Sequence, residues 1–514
     1  LHEIERIEVI RGPGASIWGS NAVNGVINVI TRHSKESQGT LTRLTLGSDG
    51  ERELSARFGG ELDDQTHYRV FSRVVKEAPR HKAGAFPTLP EELRNWRSGF
   101  RLDRDTAADE WTLSGEFYKG RSGQPAPVLR VLLPVDPAGW HLLSNWRHQL
   151  ANGGQTTVRA YLDRYRIDAD IDRIQVDTLD LNFDQRVPIG AHWLNLGVGY
   201  RRSQLELPGV PLLIGADELT TETLSGFVQA EIELAETLEL LAGTKLERND
   251  YTGWELHPTV RLTWMPSESQ SFWGAVSRAT RVPGDILQEA TIPSVVDFGG
   301  VPLPTMAASG GLDEEILVAF ELGWRGYFGD NWSFDLALFH NDYEGLQSVT
   351  IGAGIPVPIQ FGNAVDGDSV GLELGGEWLA SEALRIKGSY SWIDLEVEGR
   401  AAPGPFPFLP AELTAQQMFK LHGYWQLAPG WQLDSSLALV DSLETNANAG
   451  LTSTPYYWDL DLRLARQIGP GVSAELLLTN LLDPERPELG ALPFAGSTTA
   501  EVHRSALVRL TWMF

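Results

Sequence analysis

The 514-residue chain contains no cysteine and only four methionines. Disulfides, thiolate metal sites and thiol catalysis are therefore excluded, and Met265, Met306, Met418 and Met513 are too scattered for a thioether copper site. An excess of positive charge is also missing, since 42 lysines and arginines face 68 aspartates and glutamates for a net charge of −26. Nucleic acid is disfavoured as a partner, because phosphate binding needs a basic surface. No run of about 18 apolar residues exists, so no transmembrane helix is available. The 11 histidines form no short metal-ligand spacing. No catalytic constellation stands out, and neither an enzyme nor a metal or cofactor is expected.

What the chain does have is glycine, 52 residues, tryptophan, 17 residues, and alternation. From residue 40 onward, segments of about ten residues alternate apolar and polar side chains, the signature of a transmembrane β-strand. Tyr456, Trp458, Leu460, Leu462 and Leu464 share one face while Tyr457, Asp459, Asp461 and Arg463 share the other. Trp332, Phe334, Leu336 and Leu338 repeat the scheme, as do Leu384, Ile386, Tyr390 and Trp392. Roughly 22 such segments are counted, an even number as in closed antiparallel barrels.

The connections between these segments alternate in length. Short polar turns are expected at residues 151–155, 188–191, 266–269, 327–331, 380–383, 427–430 and 468–471, and long connections at 76–95, 119–140, 278–314, 340–369 and 394–417. Short periplasmic turns facing long extracellular loops produce such a pattern, with odd strands running outward and even strands returning. A β-propeller or a solenoid also alternates, but no repeat of about 40 residues is present. Trp111, Trp193, Trp264, Trp332, Trp378, Trp392, Trp431 and Trp458 lie at strand ends, as in interfacial girdles. The chain closes on an alternating strand ending in Phe514. The expected fold is thus all-β: a transmembrane antiparallel barrel of about 22 strands over residues 39–514.

Residues 4–32, IERIEVIRGPGASIWGSNAVNGVINVITR, precede it. They read as two short strands around a glycine-rich turn, too small to bury a core alone. The GASIWGS stretch lacks the lysine of a phosphate loop. The strand at residues 4–9, then Arg11-Gly12-Pro13, Trp18-Gly19 and Gly25-Val26-Ile27-Asn28 before Arg32, resembles the end of the plug domain of TonB-dependent outer-membrane receptors, although tyrosine is commoner at Trp18. Further landmarks follow in the family's order: His257-Pro258, Ser277 to Pro283, Leu312 to Glu315, Phe320-Glu321-Leu322-Gly323, Val370 to Leu374 and Asn480 to Asp483. The resemblance covers essentially the whole chain, but the usual proline before Glu314 is absent.

The resemblance implies that residues 1–38 are the C-terminal part of a plug whose remainder precedes Leu1. It implies a monomer in the lipid of the bacterial outer membrane, taking up a large scarce solute with energy from TonB, which would contact a segment upstream of Leu1. A ferric siderophore is the expected cargo, with cobalamin second. A passive porin or surface-binding barrel is the alternative from another class, but porins have about 16 to 18 strands and no place for residues 4–32. In the family, plug arginines pair with wall glutamates, and here the match is Arg11 with Glu321 and Glu373. Strand parity independently places both glutamates toward the lumen. Arg80, His81, Lys82, Phe86, Trp96 and Arg281 are the candidate ligand contacts.

Overall fold

The computed structural model describes residues 3–77, 93–126, 131–169, 173–207, 218–285, 288, 296–297, 302–303, 306–307, 311–351, 359–399, 414–443, 454–489 and 500–514. Twenty-two antiparallel strands form one closed barrel, beginning with Gly39–Gly47 and ending with Ser505–Met513. Each strand pairs with its sequence neighbour. Closure comes from the last strand meeting the first, Leu507 opposite Gly47 and Met513 opposite Leu41. Thr40 and Phe514 complete the seam by exchanging backbone hydrogen bonds of 3.1 and 2.9 Å. A closed sheet has no unpaired edge, which is what hydrocarbon demands of a spanning sheet.

Alternation decides which side chains face outward. Leu54 (54% exposed), Val198 (58%) and Leu322 (62%) lie on the outer surface, while the polar residues between them turn inward. In water this apolar band would be one very large exposed patch; in a bilayer it is the solvated face. Tryptophans edge the band. Trp332 follows the turn at 329–331 and stacks on Trp378 at 4.8 Å. Trp193 departs from the expected girdle: it stacks under the lumen-facing Arg186 at 4.5 Å, because its parity is opposite to that of the outward Val198.

One rim consists only of tight turns, at residues 64–65, 106–108, 150–154, 190–191, 236–237, 268–269, 329–331, 382–383, 429–430 and 470–471. Gly430 and Gly471 supply left-handed backbone there, at φ +76° and +69°. The opposite rim is mixed rather than uniformly long. Residues 48–51 and 250–252 also close in short turns, and much of two expected loops is strand. Asp109–Ala126 pairs with Val131–Gln149, and Trp332–Ile351 with Ile359–Ser381. Beyond the bilayer nothing enforces apolar and polar alternation, so these extensions carry no strand signature in sequence.

Candidate functional site

The N-terminal segment crosses the lumen. Ile4–Arg11 and Gly25–Thr31 form a separate two-stranded sheet, joined through a four-residue helix, Ala15–Trp18. Contacts to the wall fix it at three places. Its motif residues acquire physical reasons from those contacts.

At the base, near the tight-turn rim, the short 3₁₀ turn Ser34–Ser37 sits on Asp103, which is 1% exposed. Ser34 donates its backbone N–H (2.8 Å) and hydroxyl (2.6 Å) to Asp103 Oδ2. Arg101 pairs with the same carboxylate at 2.8 Å, Thr112 donates to it at 2.7 Å, and Arg101 also reaches Thr31 Oγ1 at 2.6 Å. Arg69 bonds the Arg32 carbonyl and pairs with Glu3 at 2.5 Å. Glu3 O in turn accepts from Arg32 N at 2.8 Å, so both ends of the hairpin meet one wall site.

At the apex, Gly19 and Ser20 enter a cradle of Lys245, Glu247 and His257. Ser20 N donates to Glu247 at 3.4 Å, Ser20 Oγ lies 3.3 Å from His257 Nε2, and Lys245 donates to Ile17 O at 3.3 Å. Gly19 has φ +87°, and a Cβ there would overlap Glu247 Oε2. Asn21 donates its backbone N–H to Thr280 O at 2.8 Å and accepts from Val282 N at 3.0 Å.

On the flank, Arg11 forms an ion pair with Glu373. Glu321 takes a different place from the expected second partner: its carboxylate lies against Gly12, whose φ is +73° and whose Cβ would overlap Glu321 Oε1. Both glutamates face the lumen, as parity predicts, with Phe320, Leu322, Val370 and Leu374 exposed outside. Pro13 lines a lumen cavity of about 1860 Å³ beside this flank, together with Arg261, Trp273, Arg281 and Arg325. Gly25 approaches Ile10, where a Cβ would come within 2.7 Å of the carbonyl oxygen. Asn28 stands opposite Glu8 in register and donates to it at 3.0 Å. Arg6 and then Asn28 hold the Glu8 carboxyl below the usual carboxylate range. Trp18 ends the short helix and is 45% exposed.

The ligand candidates divide. Arg80, His81, Lys82 and Phe86 lie outside the described residues. Trp96 does not join a lumen group: it lies on the outer face with Phe100 and packs on Phe117 at 5.4 Å. Arg281 does face the lumen, paired with Glu315 at 3.2 Å. Sequence reasoning missed Asp103, Arg101 and Arg69 at the base and Lys245 and Glu247 at the apex. Period-2 parity marks each as inward, yet says nothing of which inward residue meets the segment.

A closed 22-strand barrel with an apolar outer band defines an integral outer-membrane β-barrel of bacteria, with the fold of transport receptors rather than of enzymes. Residues 34–481 match the family described as "TonB dependent receptor-like, beta-barrel", and the chain belongs to that family. The iron-regulated outer membrane virulence protein of Vibrio cholerae is 26% identical over 459 residues, covering 83% of this chain and 67% of that protein. The vitamin B12 transporter BtuB of Vibrio vulnificus is 54% identical, but over 52 residues, 10% of this chain and 9% of that one. Among solved structures, the siderophore receptor PirA of Pseudomonas aeruginosa superposes with TM-score 0.76 at 18% identity, covering all of this chain and 87% of that one.

Proposed function

We propose that this protein takes up a ferric siderophore across the outer membrane, driven by TonB, with residues 1–38 as the C-terminal part of the plug and residues 39–514 as the barrel. The observation that carries the reading is the non-covalent attachment of the segment: ion pairs and hydrogen bonds at base, apex and flank hold it across the lumen. Polar attachments of this kind hold a segment in place yet yield to a directed pull. Arg11 with Glu373 is the plug-to-wall lock in this reading, and Glu321 is the steric seat of Gly12.

Cargo choice rests on one support. The likeness to the iron-regulated relative extends along 83% of the chain, whereas that to the cobalamin transporter covers a tenth of it. Arg261 and Trp273 face the cavity, where Arg281 and Arg325 are paired with Glu315 and Asp335, so its lining carries both signs of charge and does not choose the cargo. The test is growth of a receptor-deletion strain carrying the complete gene, on a panel of ferric siderophores and on cobalamin, with and without TonB. Rescue by one siderophore only when TonB is present is expected. Rescue by cobalamin alone would transfer the assignment to that cargo, and TonB-independent rescue would make the protein a passive barrel.

A further inference from the structure

One strand pairing in the wall stops short of the outer rim. The strand Gly253–Ser267 pairs with Leu238–Asn249 as far as Gly253 opposite Asn249, and Gln270–Arg281 pairs with Glu315–Phe328 as far as Arg281 opposite Glu315. Between Gly253–Ser267 and Gln270–Arg281 themselves, the last pair toward that rim is Thr259 opposite Ser277. Two facing edges remain above it, residues 253–258 and 278–281.

Pro258 explains where the strands part. Met265 donates its backbone N–H to Thr237 O, on the side of the strand Leu238–Asn249, so the even-numbered residues 264, 262, 260 and 258 direct their backbone groups toward Gln270–Arg281. At 258 the N–H is missing. A proline cannot donate to a ladder, and it ends pairing on the side its nitrogen faces.

The groups freed in this way have other partners. Continuing the register of Thr259 with Ser277 sets Leu256 against Thr280 and Trp254 against Val282. Leu256 O instead accepts from the Arg278 guanidinium at 2.5 Å. Thr280 O accepts from Asn21 N at 2.8 Å, and Val282 N donates to Asn21 Oδ1 at 3.0 Å. Asn21 thus offers that edge the N–H that Leu256, and the carbonyl that Trp254, would have offered in a continued ladder. Its backbone is left-handed at φ +75°, a conformation asparagine tolerates better than most residues with a side chain. Ser20, beside it, reaches the other edge at His257 Nε2, 3.3 Å away.

We propose that Pro258 is a positioning residue, holding open a slot in the wall into which Asn21 docks as a surrogate strand residue. Because Pro258 disfavours zipping of the two edges, the slot persists while the segment is displaced, and the segment can return to it. Through Val282 the slot also ties the segment to the connection that follows the strand Gln270–Arg281. A gating role for this slot rests on residues 1–38 being a plug, whereas the slot itself is tested without cargo or TonB.

Hydrogen exchange at single amides of the receptor in detergent is the test. In the parent chain the Leu256 amide should exchange at least about fivefold faster than those of Val260 and Leu262, the effect of one hydrogen bond. Asn21→Ala should speed the Val282 amide by at least about fivefold and leave Val260 unchanged. Pro258→Val restores the N–H, so pairing should extend: the Leu256 amide slows by about fivefold or more while the Asn21 amide speeds by as much. Replacing a proline that merely stiffens its strand would speed exchange at Leu256 instead. Protection of Leu256 equal to that of Val260 in the parent overturns the slot, and an unchanged Val282 amide in Asn21→Ala overturns the docking. In folded Pro258→Val, a Leu256 amide that is not slowed overturns the role of Pro258, as does a slowed one beside an unchanged Asn21 amide. Folding is scored by heat-modifiable gel mobility, and the first two comparisons do not need the Pro258 variant.

Discussion

Gly12 carries two constraints at once, a left-handed backbone at φ +73° and the Glu321 carboxylate where a Cβ would stand. Arg11, beside it, is 62% exposed on its side chain, so its pair with Glu373 contributes only about 1 kcal/mol. Gly12→Ala must bear about 1 kcal/mol of left-handed strain and then move Glu321. It is therefore expected to loosen the segment at least as much as Arg11→Ala does. Hydrogen exchange of the amides at residues 4–31 orders the two variants, and a smaller effect of Gly12→Ala would contradict the packing argument. For the ion pair itself, Arg11→Glu should raise exchange and Arg11→Glu with Glu373→Arg should restore it. Failure of the reversed pair to rescue would remove the lock.

Among elements, the 3₁₀ turn Ser34–Ser37 is bound more firmly than the hairpin it follows. Asp103 is 1% exposed and receives Ser34, Arg101 and Thr112. Removing it leaves the Arg101 guanidinium, 16% exposed on its side chain, without its charge partner and held by Thr31, a change of about 3 kcal/mol for a broken buried pair. Asp103→Ala should accordingly release exchange at residues 33–38 by about two orders of magnitude. Arg11→Ala should leave those amides protected. Equal protection in the Asp103 variant would show that the turn is held by the chain's path into the first barrel strand instead.

At the scale of the molecule, stability depends on closure. The strand Ser505–Met513 pairs on one side with Val472–Thr479 and on the other with Gly39–Gly47. Deleting residues 505–514 would open two edges within hydrocarbon, each unpaired polar group costing several kcal/mol. The shortened chain is expected not to form a heat-modifiable folded band on gels, where the parent chain does. A folded band from the shortened chain would mean that the seam is dispensable.

The sequence by itself determined the barrel, its strand number, its tight-turn rim and the inward parity of Glu321 and Glu373. The bilayer imposes a strict period of 2, and a period is a local property readable from one chain. It also carried the glycine motif of the N-terminal segment, without the reason for it. Tertiary structure alone decided that Glu247 and Glu321 occupy the space a Cβ would need at Gly19 and Gly12, that Asp103 holds the base, and that two expected loops are extended hairpins. It also placed Trp96 outside, packed on Phe117. Each of those facts depends on register between strands or on contact across the lumen, and neither leaves a periodic trace along the chain.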